Sequence, residues 1–127
     1  MSWVKLFVAA SFLSLTMLIG ISPLEGAMIS HVDAGNRLAK SGDHGQALSS
    51  LNTAISTNPS SARAHKLRGH VHYAKGDYNK ALQDIDTVVK LSPQSANAYT
   101  DRAIIYSSQG KHGLALADIE HALTLKP

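Results

Sequence analysis

A repeat of 34 residues organises the chain from residue 28 to residue 127. Setting the chain against itself at this offset defines three units, 28–61, 62–95 and 96–127. A fixed period of this length is typical of stacked repeat units, so we expect three copies of one small supersecondary unit. The identical columns are Gly42, Gly76 and Gly110; Ala47, Ala81 and Ala115; Leu48, Leu82 and Leu116; and Pro59, Pro93 and Pro127.

Each unit is predicted to hold two helices joined by a tight turn. In the second unit a helical pattern covers 62–75, Gly76 and Asp77 supply the turn, and a second helix covers 78–91. Glycine recurs at the turn because it adopts left-handed backbone at little cost. Proline recurs after the second helix because it cannot continue one. The apolar stripe of that helix is Tyr78, Ala81, Leu82, Ile85, Val88 and Val89, with Lys80, Gln83, Asp84 and Asp86 mostly outside it.

The period and spacing resemble the tetratricopeptide repeat family. The family columns hold His31, Ala34, Gly35, Leu38, Ala47, Leu51 and Pro59 in the first unit, His65, Arg68, Gly69, His72, Ala81, Ile85 and Pro93 in the second, and Tyr99, Arg102, Ala103, Tyr106, Ala115, Ile119 and Pro127 in the third. Departures fall in the first helices, where His and Arg replace aromatic residues and Leu. The resemblance implies an all-α, helix–turn–helix repeat solenoid, with three antiparallel helix pairs in a right-handed superhelix.

Residues 1–27 carry a different pattern. After Lys5, the stretch 6–21 has no charged residue, which is typical of an export signal. Whether this segment is cleaved stays open. Ala27 suits the last residue of a signal peptide, whereas Glu25, two positions before it, is neither small nor neutral. Uncut, the stretch 6–24 approaches the roughly 20 residues that span a bilayer. We predict a signal peptide or N-terminal membrane anchor at 1–27, with the repeats exported: periplasmic, secreted, or on the outer side of a membrane.

The resemblance also implies where a partner would bind. In this family the first helix of each unit lines a concave groove. Between 62 and 75 the chain has Arg63, Lys66, Arg68 and Lys75 and no acidic residue, so we expect a groove that is basic at its centre. Such a groove suits an acidic peptide or a terminal carboxylate, although a solvated charged face without a ligand stays open. The expected groove residues are Asn36, Lys40, Arg63, Lys66, His70, Tyr73, Asn97, Thr100 and Ile104.

One subgroup of the family clamps the carboxylate tails of cytosolic chaperones with Lys, Asn and Arg side chains. In this chain only Asn36 fits that pattern. The other clamp columns hold Val32, Leu67, Asn97 and Asp101. We therefore do not expect that particular partner.

The second helix of the third unit is expected to expose apolar side chains. Such a solenoid normally ends in a polar capping helix, and none follows Pro127 in this sequence. Leu116, Ile119 and Leu123 would then form an apolar surface of the kind that marks a contact. A homodimer or a partner helix would cover it, and the alternatives are a tolerated frayed end or a sequence truncated at Pro127.

No pattern in the sequence supports catalysis, a cofactor or a metal. The chain lacks a nucleophile elbow, a phosphate loop and a His-Glu-x-x-His motif, and its serines are predicted loop residues and helix caps, such as Ser61 and Ser95. His70 and His72 lie two residues apart and point to different sides of a helix, whereas a zinc site needs three or four convergent ligands. Cysteine is absent.

A nucleic acid is not expected as partner, because the net charge is only +3 and the basic stripe holds a single aromatic residue. The sequence favours an exported or membrane-tethered, non-catalytic interaction module that holds a peptide or helix of another protein. A membrane would be contacted only through an uncut N-terminal segment. The alternative function is a self-associating assembly subunit that dimerises through the third unit.

Overall fold

The computed structural model describes residues 23–126, without the side chains of residues 28 and 29. Within this range the chain forms six helices and no strand: α1 Pro23–Lys40, α2 His44–Thr57, α3 Ala62–Ala74, α4 Tyr78–Leu91, α5 Ala96–Ser108 and α6 His112–Leu125. The helices pack as three hairpins, α1 on α2, α3 on α4 and α5 on α6. The second helix of each hairpin then packs on the first helix of the next. The predicted all-α helix–turn–helix repeat solenoid is therefore confirmed.

Most of the predicted signal or anchor lies outside the described residues, at 1–22, and stays a prediction. Helix α1 begins at Pro23, ahead of residue 28, where the sequence pattern placed the start of the first unit. Proline suits the first position of a helix because its missing amide would have no intrahelical partner there. None of the six described helices is long and apolar enough to cross a membrane.

The same glycine turn closes all three hairpins. Gly42, Gly76 and Gly110 have φ angles of 85°, 80° and 76°, in the left-handed region. In the first turn the amide of Gly42 donates to the carbonyl of Ala39 at 3.1 Å, and that of Asp43 donates to Leu38 at 3.0 Å. This pair of bonds is the Schellman arrangement, which satisfies carbonyls that the ending helix leaves open. The prediction of left-handed glycines at these columns is confirmed.

Serine caps begin the first helices of the second and third units, as predicted. The hydroxyl of Ser61 accepts a hydrogen bond from the amide of Ala64 at 3.2 Å, and that of Ser95 accepts one from Ala98 at 3.4 Å. Each cap satisfies one amide that has no partner within its helix.

Each hairpin closes through a small residue on its first helix. A Cβ added at Gly35 would lie 2.6 Å from Cγ of Leu51, which is itself fully buried on α2. At the equivalent Gly69 the nearest atom would be Cδ1 of Ile85, at 3.0 Å, and the third unit has Ala103 in this column. The two helices therefore approach most closely in the first unit.

The column that holds His65 and Tyr99 confirms that histidine replaces an aromatic residue there. His65 is 7% exposed, and its Nε2 lies 2.8 Å from the carbonyl of Pro59. The hydroxyl of Tyr99 donates to the carbonyl of Pro93 at 3.1 Å. Both side chains thus tie the first helix of a unit to the proline that ends the unit before it.

A repeated ion pair lies inside the second and third hairpins. The guanidinium of Arg68 donates from Nε and Nη2 to the two carboxylate oxygens of Asp84, at 2.9 and 2.7 Å. Arg102 donates in the same way to Asp118, at 2.8 and 2.7 Å. Asp84 is only 3% exposed, which corrects the expectation that it lies mostly outside the packed stripe. A paired and hydrogen-bonded carboxylate can be buried, whereas an isolated one cannot.

Candidate functional site

The first helices α1, α3 and α5 share one face, here called the groove face. Helix α1 contacts α3 directly. Polar contacts link neighbouring first helices. Nη2 of Arg63 donates to Asp33 at 2.8 Å, and Nε2 of His70 lies 3.1 Å from Oδ2 of Asp101. Residues three and four apart on a helix share a side. These contacts therefore align the helix faces on which the predicted groove residues lie.

A cavity of about 290 Å³ lies on this face between α1 and α3. Three predicted groove residues, Asn36, Lys40 and His70, come together around it. The remaining lining is mostly apolar: Ala39, His44, Leu67, Val71 and Ala74. The cavity thus combines an aliphatic floor with amide, ammonium and imidazole groups.

The charge of the groove face differs from the sequence-based expectation. Arg63 is 57% exposed at its side chain and already holds the carboxylate of Asp33. Arg68 lies in the hairpin with Asp84 and does not serve the groove. A basic centre was predicted from residues 62–75 alone, and the structure adds to it two carboxylates, Asp33 from α1 and Asp101 from α5, on the same face.

Two lysines supply the cations that remain for a ligand. Lys66 is partly buried on α3, and Lys40 is exposed at the end of α1. Neither forms an ion pair or a side-chain hydrogen bond with any residue of the described range 23–126. The groove face is therefore a mixed-charge surface on which Lys40 and Lys66 are ammonium groups without a partner among residues 23–126.

Tyr73 joins two units and does not stand free in the groove. Its hydroxyl lies 2.9 Å from Oγ of Ser108 on α5, and its ring centroid lies 5.5 Å from that of Tyr78. The ring packs against the apolar cluster between the second and third units. We therefore assign it to the interface between α3 and α5.

Helix α5 contributes a less basic stretch of the groove face. Asn97 is exposed and Ile104 is 47% exposed. The hydroxyl of Thr100 donates back to the carbonyl of Ala96, at 3.1 Å. Asn97 and Ile104 lie four and three residues from Asp101, so they share its side of α5. A ligand crossing the third unit would therefore meet an amide, a carboxylate and an aliphatic side chain.

The outward side of α6 exposes the three predicted apolar residues. Leu116 and Leu123 are each 59% exposed and Ile119 is 37% exposed. In the column of Ile119, Leu51 and Ile85 are fully buried, because α3 and α5 cover them. That a second copy or a partner helix covers this side of α6 stays a prediction.

The histidines do not assemble a metal site in the described part of the chain. No group of three or more His, Asp or Glu residues between 23 and 126 lies close enough to hold an ion. His72 instead packs inside the second hairpin, with 12% of its side chain exposed. Burial lowers the pKa of the His72 imidazole, against the opposing field of Asp84.

Sequence reasoning missed the polar partners that join neighbouring units. Asp33 was not singled out, Asp101 was considered only as a failed clamp residue, and Ser108 was overlooked. Each bonds a residue 30 to 35 positions away. A comparison of charges at offsets near one repeat period would have revealed the two acid–base pairs.

A family model for the tetratricopeptide repeat matches residues 32–96 and again 67–127. Together these matches cover most of the chain. The chain therefore belongs to the tetratricopeptide repeat family.

Solved structures with the same fold share 21–24% of their residues with this chain. The structure of MamA superposes with a TM-score of 0.75 over 78% of this chain, which corresponds to 58% of the MamA chain. The second repeat domain of Spaghetti (RPAP3), bound to the HSP90 peptide SRMEEVD, gives 0.74 at 23% identity over 81% of this chain and 97% of that domain. The Arabidopsis OM64 TPR domain superposes with a TM-score of 0.76 at 24% identity, over 80% of this chain and 84% of that domain.

These similarities establish the fold alone. No curated protein sequence matches the chain.

Proposed function

We propose that this protein is a non-catalytic interaction module that holds a peptide or helix of another protein on its groove face. The cavity between α1 and α3 carries the proposal, because it is lined by aliphatic side chains and is bordered by Asn36, Lys40 and His70. Small pockets with a few convergent polar groups are where proteins fix a ligand's orientation. That a related domain holds a peptide supports a peptide as the ligand class.

The ligand we propose is a segment with an apolar side chain beside a carboxylate. Leu67, Val71 and Ala74 would contact the apolar group. Lys40, which lines the cavity, would donate a charge-assisted hydrogen bond to the carboxylate, whether it belongs to an acidic side chain or to a chain terminus. Lys66 lies outside the cavity lining and would serve a second carboxylate of the ligand. Asp33 and Asp101 reduce the attraction for a run of acidic residues, so one or two carboxylates are expected rather than an acidic tract.

Selection from a random peptide library displayed on phage tests the proposal. The full chain serves as bait, and the variant with Lys40→Glu and Lys66→Glu is the counter-bait. We expect enriched peptides that carry a carboxylate next to an aliphatic residue and that bind the variant at least about tenfold more weakly, the loss of about one charge-assisted hydrogen bond.

The matched control is Lys90→Glu, which reverses an exposed charge on α4. Peptides that bind all three proteins equally would show that the groove lysines are not used. Failure to enrich any peptide, with the helical content of the full chain intact, would overturn the proposal.

We further propose that the module works outside the cytoplasm. The charge-free stretch at 6–21 supports this location. Amino-terminal sequencing of the protein from its cells would distinguish a cut signal from a retained anchor, and recovery of the uncut chain in the cytoplasm would contradict export.

Self-association through the third unit is the alternative function. The exposed Leu116, Ile119 and Leu123 favour some contact at that end. Sedimentation of the full chain at high concentration tests it, since a dimer dissociated by Leu123→Ser is expected if a second copy covers this surface. Glu120 lies on the same helix and favours an occupant with a basic side chain, whereas α6 itself contains no Lys or Arg.

A further inference from the structure

We infer that the outward face of α6 docks a helix of another protein that carries an arginine, and that Glu120 is the acceptor for it. The inference is independent of the groove face. Inside this chain the equivalent faces of α2 and α4 are covered by α3 and α5.

The helices that cover α2 and α4 share one pattern. Helix α3 carries Ala64, Arg68 and Val71, and α5 carries Ala98, Arg102 and Ile105 at the same spacing. The small residue and the aliphatic residue are buried at 0–3% exposure on both helices. A small residue, an arginine four positions on and an aliphatic residue three further on therefore define a covering helix in this solenoid.

The arginine of each covering helix reaches back to the unit before it. Besides its carboxylate partner, Arg68 donates from Nη1 to Oδ1 of Asn52 on α2, at 2.9 Å. Arg102 donates from Nη1 to Oδ1 of Asp86 on α4, at 3.0 Å. The same repeat position on the second helices, Asn52 in α2 and Asp86 in α4, thus accepts a hydrogen bond from the arginine of the covering helix.

Glu120 occupies that column on α6, 34 residues after Asp86. Its side chain is exposed and bonds no other residue within 23–126. The apolar part of the face is also repeated, with Ala115, Ile119 and Ala122 in the columns of Ala81, Ile85 and Val88. Ala115 and Ala122 are already buried within the third hairpin, so the aliphatic surface that α6 presents beside Glu120 is Leu116, Ile119 and Leu123.

Residues 23–126 of a second copy of this chain do not supply the matching helix. Its α3 and α5 are already packed, and α6 contains no Lys or Arg. On α1 the arginine column holds Ala34, and Arg37 stands where Val71 and Ile105 are aliphatic. Charge complementarity at Glu120 consequently favours a helix of another protein with the small–arginine–aliphatic spacing over the described residues of a second copy.

The probe is a synthetic helix with the sequence of residues 96–108, stapled across Asn97 and Asp101, away from the side that packs on α4. We expect it to bind the full chain. Replacing Glu120→Gln in the chain, or Arg102→Gln in the peptide, should each weaken binding about tenfold, the effect of about one charge-assisted hydrogen bond. Combining both changes should add little, because they remove the same bond.

Glu25→Gln is the control, since it removes the same charge from α1. Equal affinity for the wild-type chain and the Glu120→Gln variant would overturn the inference. So would the absence of peptide binding together with a dimer that Leu123→Ser dissociates, because a second copy would then cover the face. The Lys40→Glu variant should bind the probe normally, which separates this surface from the groove.

Discussion

Arg68 and Asp84 form a two-pronged ion pair across the second hairpin, and the same guanidinium reaches Asn52 in the unit before. Arg102 repeats this geometry with Asp118 and Asp86. The bond to Asp84 raises the pKa of Arg68 and that to Asp118 raises the pKa of Arg102, so both guanidinium groups stay charged at any ordinary pH. In the second and third units, one arginine side chain thus fastens a hairpin and joins it to the unit before it.

Asp84→Asn should destabilise the chain by about 3 kcal/mol, because it removes one charge of a buried ion pair and leaves the guanidinium of Arg68 without its counter-charge. Asp33→Asn removes the exposed carboxylate that pairs with Arg63 and should cost no more than about 1 kcal/mol. Urea unfolding followed by circular dichroism measures both values. Equal losses would contradict the assigned roles.

The two buried glycines should respond differently to alanine. Gly69→Ala should change the stability by less than about 1 kcal/mol, because the gain of about 1 kcal/mol in helix propensity is offset by close contacts at 3.0 and 3.2 Å with Ile85 and at 3.3 Å with Cβ of Asp84. Gly35→Ala should destabilise the chain by about 1–3 kcal/mol, the usual cost of overpacking, since Cγ of Leu51 cannot retreat easily. Thermal unfolding of the two variants gives the comparison, and the reverse order would contradict the packing described here.

Ile85→Ala and Ile119→Ala test the difference between a covered and an uncovered second helix. Ile85 is fully buried, so its truncation should cost about 3 kcal/mol. Ile119 occupies the same column but is 37% exposed, and its truncation should cost about 1 kcal/mol. Denaturant unfolding of the full chain measures both. A loss at Ile119 as large as that at Ile85 would mean that something covers α6 in solution.

His72 should make the stability of the chain sensitive to acid. Its pKa is lower in the folded state than the ordinary value of about 6.5, so the unfolded state binds the proton more readily. The free energy of unfolding should fall as the pH drops below about 6.5. His72→Tyr, which copies Tyr106 in the third unit, should flatten this dependence. Unfolding curves at pH 5 to 8 test this, and parallel dependences for the two proteins would contradict it.

The sequence predicted those parts of the fold that depend on local chemistry. The turns at Gly76 and Gly110 follow from left-handed glycine, and the helix starts at Ser61 and Ser95 follow from hydroxyl caps. Both signals act within a few residues, so a single sequence reveals them.

The electrostatics of the site could not be predicted in the same way. Asp84 looked like a flank residue of α4 because its partner, Arg68, lies on another helix. The basic groove was inferred from 62–75 alone, whereas Asp33 and Asp101 approach it from neighbouring units. Contacts between repeats therefore decide which charges are available to a ligand.

The central claim is that the first helices of the three units present a binding surface on the groove face. Nuclear magnetic resonance of the isotope-labelled full chain, titrated with a library-selected peptide, tests it most directly. We predict that amide shifts concentrate at Lys40, Lys66, His70 and Ile104, on α1, α3 and α5. Shifts confined to exposed residues of α2 and α4, such as Thr53 and Lys90, would contradict the account.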